Sequence, residues 1–167
     1  MNRKTPLGLL IILLLVAILY YFVGCEPDVE APQQSISIQE ADRLEELYKE
    51  TRSGVLEQAL GFEDTRDFWF SLDELKQYLA FVEQEAKKQG KNNLGIRVYL
   101  GAYPRQGNYP NPGYATVFFV PTEQVEALPN GANGFIATQP VNQNIEEIPA
   151  LNYGSGGIPP NDYSGDQ

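Results

Sequence analysis

Histidine is absent from this chain, and cysteine, methionine and tryptophan occur once each. Without an imidazole there is no ordinary general base, which excludes Ser-His-Asp and Cys-His arrangements. A single cysteine, Cys25, excludes an intramolecular disulfide framework and leaves a zinc site without a plausible ligand set. No phosphate-binding loop or dinucleotide fingerprint is present, and the stretch Asn130 to Gly134 lacks the acids of a calcium loop. Basic residues are scarce too: 12 Lys and Arg stand against 22 Asp and Glu, a net charge of −10. That balance lacks the basic footprint of nucleic-acid binding and opposes adhesion to anionic lipid by charge. No cofactor or metal is expected, and no nucleic-acid partner.

What the chain does have is one long apolar run. Arg3 and Lys4 precede the 17 residues Leu7 to Val23, which are followed by Gly24 and Cys25. A positive start, an apolar middle and a small residue at the end describe a secretory signal, with the positive end kept inside. The run is longer than a signal-peptide core of about 7 to 15 residues and close to the roughly 18 of a spanning helix. The position of the only cysteine favours lipid attachment. Phe22-Val23-Gly24-Cys25 resembles the cleavage box of bacterial lipoproteins, with Phe22 where that pattern usually has Leu. The alternative is an uncleaved signal anchor in which Tyr20, Tyr21 and Phe22 form an aromatic belt at the interface. Either way the rest of the chain is expected outside the cytoplasm, in the cell envelope, held to the bilayer by an acylated Cys25 or by an N-terminal helix. Cleavage before Cys25 would remove two basic residues and no acid, leaving a mature charge of −12.

Composition divides the chain into residues 1–24 (signal peptide or signal anchor), 25–36 (a flexible acidic and proline-containing tether), 37–148 (a single folded domain) and 149–167 (a Gly/Pro/Asn-rich irregular tail). The domain is expected to be α+β, two N-terminal helices on a small antiparallel sheet. Ser37 and Glu40 make a capping-box pattern, followed by a stripe of Ala41, Leu44, Tyr48, Val55 and Ala59, broadened by Leu47, Leu56 and Leu60. Gly54 interrupts this helix, and Gly61 is placed to end it in a left-handed cap. Ser71 and Glu74 cap a second helix with Leu72, Leu75, Leu79, Val82 and Ala86 as its buried stripe, Lys87 and Lys88 in its last turn, and Gly90 as its stop. The two helices are expected to form an antiparallel pair. The apolar period then changes to two. Strands are expected at Leu94 to Tyr103, at Tyr114 to Val120 with Pro121 ending it, and at Gly134 to Thr138.

Candidate chemistry is confined to a few clusters. Thr65 to Phe70 gathers Arg66, Phe68, Trp69 and Phe70: the aromatics suit the core near the second helix cap, whereas an exposed Trp69 beside Arg66 would suit a binding patch. Tyr48 and Arg52 lie one helical turn apart, placed to stack or to meet Arg97 or Tyr99 across the sheet. Tyr103, Tyr109 and Tyr114 flank a Pro/Gly loop, a pattern suited to carbohydrate or peptide binding as well as to loop packing. What remains for catalysis is a carboxylate pair of the glycosidase kind, with candidates such as Glu57, Glu63, Asp64, Asp67 and Glu74, and solvated or capping roles account for them.

The stretches FWFSLDELKQYLAFVEQEAKKQG, LGIRVYLGAYP and ATVFFVPT, with the upstream SIQEADRLEELYKETR and its Tyr48-x-x-x-Arg52 spacing, resemble a family of small uncharacterised proteins from flavobacteria and related Bacteroidota. The resemblance implies a bacterial provenance and a helix-helix-sheet domain, and no reaction. The expected function is therefore that of a non-enzymatic binding or structural envelope lipoprotein with an envelope protein partner. An acidic inhibitor or immunity-like protein that neutralises a basic partner is the alternative, and a carboxylate-based hydrolase the third.

Overall fold

The computed structural model describes residues 7–24, 29–126 and 140–163. Cys25 and the strand expected at Gly134 to Thr138 lie outside the described residues. The chain is of mixed α+β class, with helices and two small antiparallel sheets. It divides into two units, Met1–Ser37 and Ile38–Gln167.

The first unit contains α1, Leu7–Gly24, which is apolar around its whole circumference and has no polar face. Its 18 residues rise about 27 Å at 1.5 Å each, short of a bilayer core of roughly 30 Å. Among the described residues no helix is long and apolar enough to cross a membrane.

The second unit opens with a helical segment from Ile38 to Leu60: α2 (Ile38–Tyr48), a π-helical turn (Lys49–Ser53) and α3 (Gly54–Leu60). The Thr51 hydroxyl donates back to the Leu47 carbonyl, the kind of side-chain bond that competes with the helix ladder. The wide turn ends at Gly54, where the sequence predicts an interruption. Gly61 closes α3 with φ of 81°, its N–H donating to the Glu57 carbonyl at 2.8 Å. No side chain of this segment is fully buried, and Leu44, Leu47, Val55 and Leu56 of the expected stripe are exposed.

The core is built instead on α4, Leu72–Lys88. Ser71 caps it by accepting from the Glu74 N–H at 3.1 Å, while the Ser71 hydroxyl lies 3.2 Å from the Glu74 carboxylate. Its buried residues are Tyr78, Val82 and Ala86, so the stripe starts from Tyr78 rather than from Leu72 or Leu79, which face solvent. The reason lies in Tyr78, which spends its polar end inside: its hydroxyl is 3.0 Å from the carbonyls of Phe119 and Pro149.

The main sheet has the order β2-β3-β4, from Leu94–Ala102, Ala115–Val125 and Val141–Asn144. The sequence predicts that Pro121 ends the middle strand, yet β3 runs through it to Val125. Leu151 exchanges both backbone bonds with Phe119, at 2.9 and 3.0 Å, so Phe119 and every second residue from it aim their backbone groups away from β2. Pro121 belongs to that set. Its missing N–H costs no bond with β2, and its carbonyl accepts from Ile145 at 2.9 Å. One sheet face is covered: Tyr78, Val82 and Ala86 pack with Ile145 and Ile148, and Ile96, Phe119 and Leu151 close the cluster. Strand alternation puts Arg97, Tyr99, Phe118, Thr122, Asn142 and Asn144 on the opposite face.

A second, two-stranded sheet pairs β1 (Phe68–Trp69) with β5 (Ser155–Gly156). The described part of the C-terminal segment, irregular by composition, is thereby bound along the domain. The Thr65 hydroxyl donates to the Gly157 carbonyl at 2.7 Å. Gly154 lies against the Phe70 ring, where a Cβ would come within 2.4 Å of ring carbons, so only glycine fits without displacement. Phe70 meets Phe119 edge-on at 5.0 Å between centroids and joins this region to the sheet.

Candidate functional site

The residues singled out by sequence separate into four places. Cys25 lies outside the described residues. Tyr48 and Arg52 pair with each other, the guanidinium 5.9 Å from the ring centroid, beside the π-helical turn. The cavity shared by Tyr48 and Arg66 holds about 10 Å³, room for one water at most.

Arg66 is the centre of the second place, and its role is to fasten. Its side chain is only 10% exposed and reaches Glu45 at 3.2 Å, Glu63 at 3.0 Å and Asp162. Lys49 adds a second cation to Asp162 at 3.3 Å, and Glu45 accepts from the Tyr163 N–H at 2.6 Å. Burial by itself would lower Arg66, but hydrogen bonds to Glu45, Asp162 and Glu63 outweigh it and raise the guanidinium above its ordinary value. Asp162 is held below the usual carboxylate range, first by the Lys49 hydrogen bond and then by Arg66. Acids do converge here, but around cations, and a lowered Asp162 is the opposite of what a general acid requires. Among the described residues no acidic cluster could hold a metal ion. Trp69, three residues further on, is 65% exposed and stands outside this clamp.

The Tyr-rich loop is the third place. Tyr103 is buried between Tyr109, at 5.4 Å, and Tyr153, at 6.2 Å, in a stack of rings. Its hydroxyl donates to Asn152 at 3.0 Å, and Asn152 also accepts from Thr116 at 2.9 Å. Tyr103 is thus a packing residue, while the Tyr109 and Tyr153 rings are open to solvent.

The fourth place is the uncovered sheet face. Arg97 donates to Asn144 Oδ1 at 2.6 Å, to the Asn142 carbonyl at 2.5 Å and to the Tyr99 oxygen at 3.2 Å. The Asn144 amide also donates to Tyr99, at 2.8 Å. Those two donors, Asn144 first, hold the Tyr99 phenol below its ordinary value. Because the Tyr99 oxygen only accepts from its neighbours, its own O–H is directed to no acceptor among the described residues. The Tyr99 ring stacks on Phe118 at 5.2 Å and 14°. Beside this ladder opens a groove of about 450 Å³ lined by Lys91, Arg97, Asn142, Asn144, Glu146 and Glu147, with both signs of charge. Lys91 is paired at the rim with Glu123 at 2.5 Å, whereas Arg97 has no carboxylate partner among the described residues.

Sequence reasoning singles out Arg97 and Tyr99 and misses Phe118, Asn142 and Asn144 beside them. The period-two spacing of the two asparagines was the available signal, in a segment too polar to read as a strand. It also missed Asp162, which sits 96 residues from Arg66 in a stretch whose composition reads as a tail. No protein-family model, curated protein or solved structure matches the chain.

Proposed function

We propose that this chain is an exported bacterial envelope protein, held at the membrane by lipid on Cys25, whose open sheet face binds a neutral polar ligand of the glycan class without catalysing its conversion. The observation that carries the reading is the Tyr99 hydroxyl: fixed by Arg97 and Asn144, it keeps a donor for a ligand beside the Tyr99–Phe118 aromatic stack. Fixed amide, guanidinium and phenol groups beside an aromatic surface match the alternating hydroxyl and C–H faces of a sugar. With Lys91 paired to Glu123, Arg97 faces Glu146 and Glu147 along the groove, a balance close to neutral that disfavours an anionic ligand. A binding role also suits a chain with no histidine. The lipid anchor rests on the position of the lone cysteine behind the apolar run.

Titration of the detergent-solubilised full chain with soluble envelope oligosaccharides tests the ligand class. Saturable binding that weakens in Arg97→Ala and Tyr99→Phe supports it; binding by no oligosaccharide, or binding indifferent to both changes, removes it. Metabolic labelling with a fatty-acid analogue tests the anchor, with label expected on the wild type and lost in Cys25→Ser.

A further inference from the structure

The two edges of the main sheet differ in length and protection. β4 is short and polar, Val141–Asn144, whereas β2 runs nine residues, Leu94–Ala102, without proline. Short, polar or interrupted edges resist strand addition, and a long regular apolar edge invites it. Val98 stands opposite Phe119, whose backbone groups point away from β2. Leu94, Ile96, Val98, Leu100 and Ala102 therefore aim their N–H and C=O groups at the outer edge, which no strand among the described residues occupies. Val98 is 54% and Leu100 83% exposed, although both lie on the face that α4 covers further along. The only charge on the strand, Arg97, is drawn back over its own sheet by Asn142 and Asn144 and does not guard the edge.

The strand is also chemically palindromic about Val98. Its sequence is Leu-Gly-Ile-Arg-Val-Tyr-Leu-Gly-Ala. We propose that two copies of this chain pair antiparallel through β2, with Val98 opposite the partner's Val98, joining their sheets into one. This register places Ile96 opposite the partner's Leu100 and Gly95 opposite the partner's Gly101. It also puts each Arg97 position opposite the partner's Tyr99 rather than opposite a second arginine. A slip that centres the pairing on Arg97 puts like charges face to face, and one centred on Tyr99 leaves Arg97 against glycine. The edge-facing backbone groups of the Val98-centred register meet as hydrogen-bonded pairs, and Val98 and Leu100 become covered. The pairing shares Arg97 and Tyr99 with the ligand reading but does not depend on it, since it is argued from the strand and its edge.

Hydrogen exchange on the full wild-type chain in detergent tests the pairing without any substitution. The amides of Ile96, Val98 and Leu100 have no backbone partner among the described residues of one copy, so exchange as slow as that of their β3-bonded neighbours, speeding up on dilution, is the expected result. Fast exchange at all three under every concentration overturns the proposal. The register is tested by oxidising a full chain that carries Cys25→Ser and Val98→Cys. The Cα separation of a hydrogen-bonded antiparallel pair, about 5.5 Å, suits a disulfide. A cross-linked dimer is expected, lost when Leu100→Lys is added and absent when the cysteine is placed at Tyr109 instead. A cross-link at 98 that survives Leu100→Lys, or is matched by one at 109, contradicts it. Leu100 is largely exposed, so circular dichroism of the Leu100→Lys chain should match the wild type.

Discussion

Arg66 and Arg97 are both drawn from clusters that the sequence marks as unusual, and the fold treats them in opposite ways. Arg66 is nearly covered and surrounded by Glu45, Glu63 and Asp162. Arg97 lies in an open groove, bonded to neutral amide, carbonyl and phenol groups. A guanidinium whose donors end on carboxylates of its own chain has its charge balanced internally. One held in place by neutral groups keeps its charge and orientation for a partner. The first arrangement fastens the C-terminal segment to α2; the second prepares a surface.

Substitution should separate the two. Arg66→Ala leaves three carboxylates without their shared cation and is expected to cost about 2 kcal/mol of stability, measured by denaturant unfolding, while Arg97→Ala should change it by no more than about 0.5 kcal/mol. In ligand titration the order should reverse. Arg97→Ala is expected to weaken binding about tenfold, the equivalent of ~1.4 kcal/mol, and Arg66→Ala in its folded state to leave it unchanged. Tyr99→Phe keeps the ring stack and removes one donor, so an affinity loss of about threefold to tenfold is expected, the worth of one hydrogen bond.

The smallest effect is the dependence of the Arg66 clamp on acid. Asp162 is held below its ordinary value in the folded chain, so its contribution is complete above the ordinary carboxylate range. It is lost only as pH falls through the lowered folded value. A thermal melt followed into acid should show Asp162→Asn losing less stability than the wild type across that window, since the variant has no proton to take up there. Equal losses would mean that Asp162 does not join the clamp in solution.

The parts of the fold visible in the sequence are those decided by neighbours in the chain. Ser71 and Glu74 mark the start of α4, Gly61 the end of α3, and Gly54 the edge of the π-helical turn, because caps and interruptions are local. What the helix stripes face is not local. Leu79 fits the apolar period of α4 better than Tyr78 does, yet Tyr78 is buried because two carbonyls distant in sequence await its hydroxyl. Pro121 reads as a strand end because a proline in a ladder normally loses a bond, and only the pairing pattern shows that no bond was due. The same limit governs the candidate site. Arg97 and Tyr99 share a strand face by alternation alone, while Asn142 and Asn144 join them through a pairing across a long connection. Gly154 and Asp162 depend on contacts with Phe70 and Arg66 that the composition of the C-terminal segment conceals.

The claim that the open sheet face is the binding surface is tested most directly by NMR titration of the isotopically labelled full chain with a binding oligosaccharide. The account predicts that the largest amide shifts fall on Arg97, Tyr99, Phe118, Asn142 and Asn144. Shifts centred instead on Arg66 and Trp69, or on the loop carrying Tyr109, would contradict it.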